Sequence, residues 1–297
     1  MRALTELPRF EPLRSKDSLR VDAAQLQNDA MIAAVLPECS SVYVRGNGLC
    51  VLAVARGSVE CVAQEGEFVL DRGEWLILPV NSAPRIRADA NALASVIILG
   101  EGVSVCDRLG LPLPHGRGRL QLSTLRLIVT GLRACADSSA VQEGADARGI
   151  LLDAIAEMTP PQALIGRCPG RTVRRKREIY GRLLRARLHI EGHPHQIPRV
   201  AELASLCRFS SWYFTKAFTD VFGASPQSFG RSYRLQYARR ILLGSSLSVS
   251  EVAAACGFDN PSAFARAFHQ YFGATASDLR RARAGGAWPG RHIQLNR

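Results

Sequence analysis

The side chains best suited to metal or redox chemistry in this sequence are eight cysteines and six histidines. Zinc sites and thiol–disulfide sites need their residues at short spacings such as C-x-x-C. The sequence has no C-x-x-C pair and no cysteine at zinc-ligand spacing from a histidine. We therefore expect no metal, no cofactor and reduced thiols buried as small apolar groups, with a redox-sensing pair as the alternative. The cysteines are Cys39, Cys50, Cys61, Cys106, Cys135, Cys168, Cys207 and Cys256.

The charged side chains point to a different chemistry, because the basic ones are concentrated in one part of the chain. The formal net charge is +12, from 38 Lys+Arg and 26 Asp+Glu. Residues 171–297 hold 21 Lys+Arg and 7 Asp+Glu, whereas residues 1–170 hold 17 and 19. Such an asymmetry favours an anionic partner, with nucleic acid first. A preference for arginine codons would explain the scarcity of lysine but not the scarcity of acids.

Length and composition limit the class of protein. A chain of 297 residues suggests about two domains. The hydrophobic fraction of 47% and the charged fraction of 22% are ordinary for a folded protein and exclude a disordered or fibrous one. The sequence contains neither an apolar run long enough for a membrane span nor a signal-peptide pattern. We therefore expect a cytoplasmic protein with no membrane partner.

The basic part contains a repeat with a period near 50 residues. One block recurs at an offset of 49 and a second block at an offset of 50, so one residue is added between them. A turn tolerates such an addition and a helix does not, so each copy is predicted to be helix, turn, helix. The first block is Glu202-Leu203-Ala204 with Cys207, matched by Glu251-Val252-Ala253 with Cys256. The second block is Phe214, Phe218, Phe222 and Gly223, matched by Phe264, Phe268, Phe272 and Gly273.

Capping residues predict where these helices begin. Ser210 is expected to cap the second helix of the first copy. Asn260 and Pro261 offer a cap and a first-turn proline to the second helix of the second copy. Ser248 and Glu251 have the spacing of a capping box.

One turn position differs between the copies, and two longer helices accompany them. Arg208 stands where the second copy has Gly257, and a left-handed backbone there would cost the arginine about 1 kcal/mol. An amphipathic helix is predicted over about 173–190. A joining helix is predicted to begin at Ser225-Pro226 and to run to residue 243, before Gly244.

Residues 174–284 resemble the tandem helix-turn-helix DNA-binding domain of the AraC/XylS family of bacterial transcription regulators. The resemblance rests on the stretches VAELASLCRFSSWYFTKAFTDVFGASPQSF and RLQYARRILLGSSLSVSEVAAACGFDNPSAFARAFHQYFG. One departure is Ala276, where the family often has proline, whereas Pro226 keeps that residue in the first copy. Alanine is a good helix former, so the last helix can still begin near Thr275.

Each copy would place its second helix in the major groove of DNA, with residues near its start facing the base edges. On the first copy the groove-facing candidates are Ser211, Trp212, Thr215, Lys216 and Thr219, and the resemblance supports Trp212, Thr215 and Lys216; core packing is the alternative for Trp212. On the second copy they are Asn260, Ser262, Arg266 and His269, and Ala263 could touch a thymine methyl. The first copy is therefore predicted to discriminate sequence more strongly. On the joining helix, Arg231, Arg234, Arg239 and Arg240 are expected to reach phosphates or to pair with acidic residues.

The N-terminal part alternates like β-structure. Short apolar runs over residues 42–79 are separated by glycines at a spacing that suits an antiparallel barrel or sandwich, and residues 96–99 are predicted to form a later strand. The segment GEFVLDRGEWLILP resembles the cupin-like sensor barrel that precedes many such DNA-binding domains. Metal-binding cupins use several histidines, but the first histidine here is His115, beyond the barrel. The ligand pocket is not identified, and its candidates by residue type alone are Trp75, Tyr43, Phe68, Arg85 and Arg87.

The predicted fold is therefore an α+β multidomain chain. It has an N-terminal cupin-like antiparallel β-barrel with a helical hairpin, and a C-terminal all-α tandem helix-turn-helix domain. Hairpin helices are predicted at 120–135 and 145–158, and they could pack on the barrel or form a homodimer contact. The predicted boundaries are 1–160 for the sensing or dimerisation domain, with its helical part at 119–160, then 161–173 for a linker, 174–284 for the DNA-binding domain and 285–297 for a tail.

The predicted function is a sequence-specific DNA-binding transcription regulator without enzyme activity. Double-stranded DNA is the expected partner, together with a homodimeric second copy and RNA polymerase, and a small-molecule effector is left open. The alternatives are a sequence-indifferent architectural DNA-binding protein and a cupin-type enzyme, which lacks metal-ligand histidines here. The sequence does not distinguish an activator from a repressor.

Overall fold

The chain forms two compact units. One lies within Met1–Gly166 and Gly170–Leu188, and the other within Arg167–Pro169 and His189–Arg297. No helix in the described part of the chain is long and apolar enough to cross a membrane. The predicted tail lies outside the described residues. The computed structural model describes residues 9–23, 26, 30–79, 81–100, 115–137, 141–158 and 162–283.

The first unit is built on two β-sheets. Its described strands are β1 (Arg9–Pro12), β2 (Ser18–Asp22), β3 (Met31–Leu36), β4 (Ser41–Arg45), β5 (Gly48–Arg56), β6 (Ser58–Ala63), β7 (Gly66–Asp71), β8 (Glu74–Leu78), β9 (Arg85–Ala88), β10 (Leu93–Gly100) and β11 (Gly116–Arg119). The six-stranded sheet has the order β1-β3-β10-β5-β8-β11, and the five-stranded sheet has the order β2-β4-β9-β6-β7. The two sheets share one apolar core, in which Phe68 and Leu70 lie among Leu52 and Leu76.

The sequence of each strand reflects how many of its faces are buried. Strand β5 is apolar almost throughout, because Leu52 belongs to the core between the sheets and Val51 to a second core on the outer face. Strand β4 alternates instead. Its Val42 and Val44 are buried, whereas Tyr43 between them is 40% exposed.

Two helices, α1 (Leu122–Asp137) and α2 (Val141–Glu157), cover the outer face of the six-stranded sheet. Ile128 and Leu132 of α1 and Ile155 of α2 pack there with Ile77. The helices approach closely at Gly131, where a Cβ would lie 2.6 Å from the Leu151 side chain. Of the two predicted roles for this hairpin, packing on the sheet is therefore present, and the homodimer contact stays a prediction.

The predicted cupin-like antiparallel barrel is not closed, because the described strands form two separate sheets, as in the alternative of a sandwich. Two of the pairings are also parallel, β1 with β3 and β2 with β4. The early strands β1 and β2 each join a different sheet at its edge. The order of short strands in sequence does not specify such long-range pairings, which depend on tertiary contacts.

The predicted linker over residues 161–173 is partly helical. Helix α3 (Gln162–Arg167) occupies its first half, and Ile165 and Cys168 are buried. Helix α4 (Val173–Gly192) confirms the amphipathic helix predicted over 173–190. The division between the two compact units falls inside α4, after Leu188. A composition rich in proline and glycine thus did not exclude a buried helical turn.

The second unit contains the two predicted helix-turn-helix copies, joined by a long helix. Its remaining described helices are α5 (Val200–Leu206), α6 (Ser211–Phe222), α7 (Pro226–Gly244), α8 (Val249–Ala255), α9 (Pro261–Phe272) and α10 (Ala276–Arg283). Helices α5 and α8 have 7 residues each, and α6 and α9 have 12 each. The residue added in the second copy therefore lies in the turn, as the offsets predicted.

Aromatic side chains form the core of each copy. Phe214 and Phe218 of α6 are fully buried, with ring centroids 5.5 Å apart. Phe264 and Phe268 of α9 repeat this arrangement at 5.4 Å. Truncating one such phenylalanine to alanine typically costs about 3–5 kcal/mol. This aromatic face fixes which side of each helix is left for other contacts.

Candidate nucleic-acid interface

Helix α6 presents a polar face opposite its aromatic core. Ser210 caps the helix by accepting a hydrogen bond from the Tyr213 backbone N–H at 3.3 Å, as predicted. Gly223 ends it in a left-handed conformation, with φ +74°. The exposed residues on the other face are Ser211, Trp212, Lys216, Thr219 and Asp220, and Thr215 is half-buried.

Trp212 is the most exposed large side chain of this face. Its exposed fraction is 73%, so the alternative in which Trp212 packs in the core does not hold. An indole ring left in water at the start of a helix offers apolar surface and one N–H donor to a partner. Its predicted position in a DNA groove stays a prediction.

The hydroxyls of α6 donate to the helix itself. Thr215 Oγ1 donates to the Ser211 carbonyl at 2.8 Å, and Thr219 Oγ1 donates to the Thr215 carbonyl at 2.7 Å. Their oxygens keep lone pairs that can accept from an amino group of a base.

Lys216 carries the positive charge of this face. Its Nζ lies 3.3 Å from Asp220 Oδ2, with side-chain exposures of 61% and 47%. An exposed pair of this kind is worth only about 0–1 kcal/mol, so the ammonium group can exchange Asp220 for another anion. Asp220 was not among the predicted site residues. Its position four residues after Lys216 on a helix is the signal that could have identified it.

Helix α9 repeats this design with different side chains. Asn260 caps it through Oδ1, which accepts from the Ala263 backbone N–H at 2.7 Å, and Pro261 occupies the first helical position. Part of the Asn260 amide is therefore used by the helix. The exposed face holds Ser262, Ala265, Arg266, His269 and Gln270, of which Ala265 and Gln270 were not predicted.

The repeat offset of 50 pairs the exposed residues of the two helices. Lys216 corresponds to Arg266, and both side chains are exposed one turn or more inside their helix. Thr219 corresponds to His269. Thr215 corresponds to Ala265, so applying the offset would have identified the unpredicted alanine. The two faces therefore carry one strong cation each at equivalent positions.

The arginines of the joining helix α7 differ in exposure. Arg231 is exposed, and Arg239 and Arg240 are half-buried, so for these three a contact with phosphate or a pairing with acidic residues stays a prediction. Arg234 requires a correction, because it is only 7% exposed. Its Nη1 donates to the Gly257 carbonyl at 3.0 Å, and its guanidinium carbon lies 4.9 Å from the centroid of the Phe258 ring. Arg234 is thus placed against the second turn rather than towards a phosphate.

Burial also affects the charge on Arg234. Desolvation lowers the pKa of its guanidinium from the ordinary high value. An arginine still remains protonated at neutral pH. The spacing could have revealed this burial, because Arg234 precedes the buried residues Ala238 and Leu242 by four and eight positions.

Both turns contain a left-handed residue, so the condition under which Arg208 carries a conformational cost is met. Arg208 has φ +54° in the first turn, and Gly257 has φ +67° in the second. At Gly257 the lack of a side chain matters for a second reason, since a Cβ there would lie 2.2 Å from the His195 carbonyl oxygen. The capping box of α8 is also confirmed, with Ser248 N–H donating to Glu251 Oε2 at 2.6 Å and Ser248 Oγ accepting from Glu251 N–H.

The first unit does not gather its predicted pocket residues into one site. Phe68 is fully buried in the core between the sheets. Tyr43, Arg85 and Arg87 lie on the exposed outer face of the five-stranded sheet. Trp75 is half-buried and donates from Nε1 to the Arg119 carbonyl at 3.2 Å. These contacts give the aromatic residues structural roles.

The described cysteines and histidines form no site of the kinds considered above. Among the described residues, no group of three or more His, Cys, Asp or Glu side chains could hold a metal ion. Desolvation raises the pKa of the buried Cys50 thiol to about 12, which makes it a poor nucleophile. Cys39 is exposed, and Cys106 lies outside the described residues.

Comparison with known proteins finds a helix-turn-helix match within the second unit. The family model described as a helix-turn-helix domain matches residues 203–282. The HTH-type transcriptional regulator ExsA of Pseudomonas aeruginosa is 33% identical over 70 residues, which is 24% of this chain and 25% of ExsA. The HTH-type transcriptional regulator GlxA of Rhizobium meliloti is 37% identical over 79 residues, 27% of this chain and 24% of GlxA.

One solved structure is also similar to part of this chain. The DNA-binding domain of AdpA, crystallised in complex with a target DNA, is 30% identical; the match covers 35% of this chain and 97% of that one, with a TM-score of 0.33. The matches to ExsA and GlxA span about a quarter of those proteins, and both of those proteins are transcriptional regulators. Residues 203–282 thus match a helix-turn-helix domain, in the part of the chain whose sequence resembles the DNA-binding domain of AraC-type regulators.

Proposed function

We propose that this protein binds double-stranded DNA at specific sequences, with α6 and α9 each entering the major groove at adjacent segments of one site. One observation carries the proposal. Two helices of equal length, each with its own capping residue and aromatic core, expose a cation at equivalent positions, Lys216 and Arg266. A tandem arrangement of this kind fits two reading segments better than a single one.

The chemistry of the exposed faces suits base edges. The Arg266 guanidinium can donate two hydrogen bonds to guanine O6 and N7, and Lys216 can donate to the same atoms or to a phosphate. Ser211 and Ser262 offer hydroxyls near the helix starts, and Trp212 offers apolar surface to sugars and thymine methyl groups. Such a set of donors and apolar groups is able to distinguish base pairs.

The joining helix and the charge distribution would supply the affinity. Exposed Arg231 is available to phosphates, and the half-buried Arg239 and Arg240 lie on the same helix. Contacts of this kind fix the register of a protein on DNA without reading sequence, and they make binding weaker as salt rises. A helix of 19 residues between the copies would hold the reading segments about one DNA turn, roughly 34 Å, apart.

The two segments are expected to differ in stringency. The first residue of α6 is Ser211, which has both a hydroxyl and a backbone N–H, whereas the first residue of α9 is Pro261, which has neither. Asn260 uses its Oδ1 for capping, and Ala265 replaces the hydroxyl of Thr215. We therefore expect larger penalties for base changes in the segment read by α6.

The test is enrichment of bound sequences from a random duplex library by the full chain, followed by competition against random duplex at physiological salt. Specific binding should exceed random duplex by about a thousandfold or more. Lys216→Ala and Arg266→Ala should each weaken binding to the enriched duplex. Arg72→Ala, which removes one exposed positive charge from the first unit, is the matched control and should not. Equal affinity for enriched and random duplexes would instead support a sequence-indifferent architectural protein.

The first unit is proposed to regulate this binding, through a small ligand or through a second copy of the chain. The support is that this unit has a core between its two sheets and its own covering helices. Its contacts with a ligand or a second copy can therefore change without unfolding the helix-turn-helix unit. Sedimentation velocity of the full chain, with and without the enriched duplex, tests the homodimer. A monomer in both conditions would refute dimerisation.

A further inference from the structure

We propose that Arg234 is a positioning residue, which clamps the turn of the second helix-turn-helix unit onto the joining helix α7 and thereby sets how α9 meets DNA. This inference rests on the proposed function for its DNA-binding part. Its structural part concerns the free protein and can be tested without DNA.

The first step is the set of contacts that the guanidinium makes. Nη1 donates to the Gly257 carbonyl at 3.0 Å and approaches the Cys256 carbonyl at 3.5 Å. These carbonyls follow the end of α8, where helix carbonyls lack partners within the helix and a positive charge is favourable. The flat guanidinium also lies 4.9 Å from the centre of the Phe258 ring, within the range of a cation–π interaction.

The second step is that the same turn is held from another side. The His195 carbonyl oxygen is so close to the Gly257 Cα that a Cβ would lie 2.2 Å from it. Pro198, in the same loop before α5, packs closely against Gly230 of α7, where a Cβ would lie 2.6 Å from the proline ring. The second turn is therefore enclosed by the loop before α5 and by Arg234 of α7.

The third step connects the turn to the reading face. Gly257 precedes the α9 cap Asn260 by three residues, and the backbone between them is short. A change in the turn would therefore move the start of α9, where Ser262 and Arg266 are exposed. The apolar core of this unit, with Leu235 and Phe264, does not include Arg234 and should hold the helices together without it.

The fourth step is an asymmetry between the two helix-turn-helix copies. In the first turn, Arg208 occupies the position of Gly257, and its own side chain is exposed. Arg234 contacts only carbonyls of the second turn in the hydrogen bonds described for it. Loss of Arg234 should therefore affect the segment read by α9 and leave the segment read by α6 intact.

The first test is hydrogen–deuterium exchange of the free full chain. In Arg234→Met, which keeps a side chain of similar length without donors, peptides covering residues 256–264 should exchange at least about tenfold faster, and peptides of α6 should be unchanged. Arg234→Lys keeps the charge and one donor and should restore part of the protection. Unchanged exchange at 256–264 in a folded Arg234→Met protein would overturn the clamp.

The second test is hydroxyl-radical footprinting on a duplex enriched by the wild-type chain. Arg234→Met should lose protection and base-pair discrimination, by about tenfold, in the α9 segment only. Arg231→Met, on the same helix but exposed, provides the contrast, because loss of a phosphate contact should weaken binding to all sequences and reduce its salt dependence. If Arg234→Met gives that uniform pattern instead, Arg234 acts on the phosphate and the positioning role is wrong.

Two outcomes separate this inference from the proposed function. If the wild-type chain enriches no sequence, the proposed function fails, and the DNA-binding part of this inference fails with it, while hydrogen exchange still decides the clamp. If Arg234→Met does not fold, Arg234→Lys takes its place in both tests. A folded Arg234→Lys protein with equal losses in both segments would overturn the positioning role.

Discussion

Replacing Gly257 by alanine tests how closely the second turn is enclosed. Gly257 has a left-handed backbone, with φ +67°, and its Cα faces the His195 carbonyl. Gly223 provides a matched control in the same unit. Its φ is +74°, but a Cβ built on it meets nothing within 4 Å. The two substitutions therefore share the conformational penalty and differ in the steric one.

The expected magnitudes follow from this geometry. A left-handed conformation costs a residue with a side chain about 1–2 kcal/mol, which is the expected destabilisation by Gly223→Ala. At Gly257 the new Cβ would lie 2.2 Å from a backbone oxygen, so the loop at His195 must move. Overpacking of this kind adds about 1–3 kcal/mol, which gives a total of about 2–5 kcal/mol for Gly257→Ala.

The assay must report on the second unit separately, since the chain has two compact units and need not unfold in one step. We suggest hydrogen–deuterium exchange of the full chain across a urea series, read from peptides around each substitution, within residues 249–272 for Gly257→Ala and 211–229 for Gly223→Ala. The free energy of opening in these peptides should fall more for Gly257→Ala than for Gly223→Ala. Equal losses, or a larger loss for Gly223→Ala, would refute the steric argument.

Three further predictions concern single side chains. Arg266→Ala should cost about 1–3 kcal/mol of binding free energy on the enriched duplex and relax the preference at one base pair of the α9 segment, measured by titration with single-base variants. Ser248→Ala should lower the stability of the second unit by about 1 kcal/mol in urea unfolding, through loss of the α8 cap. Hydrogen bonds with Ser248 lower the pKa of Glu251, so the contribution of Glu251 is present above the usual carboxyl pKa of 4.5 and is lost as the pH falls through its folded value. Arg117→Met should destabilise the first unit by about 1–3 kcal/mol, because it takes from the half-buried Glu74 carboxylate the guanidinium that lies 2.6 Å away.

Each of these predictions has a control. An equal loss on enriched and random duplexes would show that Arg266 contacts a phosphate rather than a base. If Ser248→Ala is as sensitive to acid as the wild type, the capping box does not hold Glu251 in its ionised form. For the Arg117–Glu74 ion pair, Glu74→Met added to Arg117→Met should recover much of the lost stability. No recovery would mean that packing, not charge, accounts for the effect.

Local signals predicted most of the second unit correctly. The caps at Ser210, Ser248 and Asn260 depend on hydrogen bonds within three residues, so the sequence alone specifies them. The phenylalanine spacing likewise specifies the buried face of each helix. Arg234 was misplaced because residue type was given more weight than helical spacing, although the spacing puts it with buried Ala238.

Predictions for the first unit were correct for the elements named below and only partly correct for their arrangement. The strand containing residues 96–99 and the helical hairpin are present. The parallel pairing of β2 with β4 joins residues more than 20 positions apart, and no local pattern encodes it. The residue types of Tyr43 and Arg85 likewise did not show which face of the sheet they occupy, because a shift of one residue moves a side chain to the other face.

The residue added in the second turn has a consequence for how the two copies can diverge. Insertion at this point changes no hydrogen-bond ladder, since the helices on both sides keep their lengths. Helix hydrogen bonds therefore do not fix the conformation of this longer turn. Arg234 of α7 does so instead, by donating to its carbonyls. We therefore expect a change in the length of this turn to be tolerated only together with a change at Arg234. A residue of the joining helix α7 thus limits how the turn between α8 and α9 can vary.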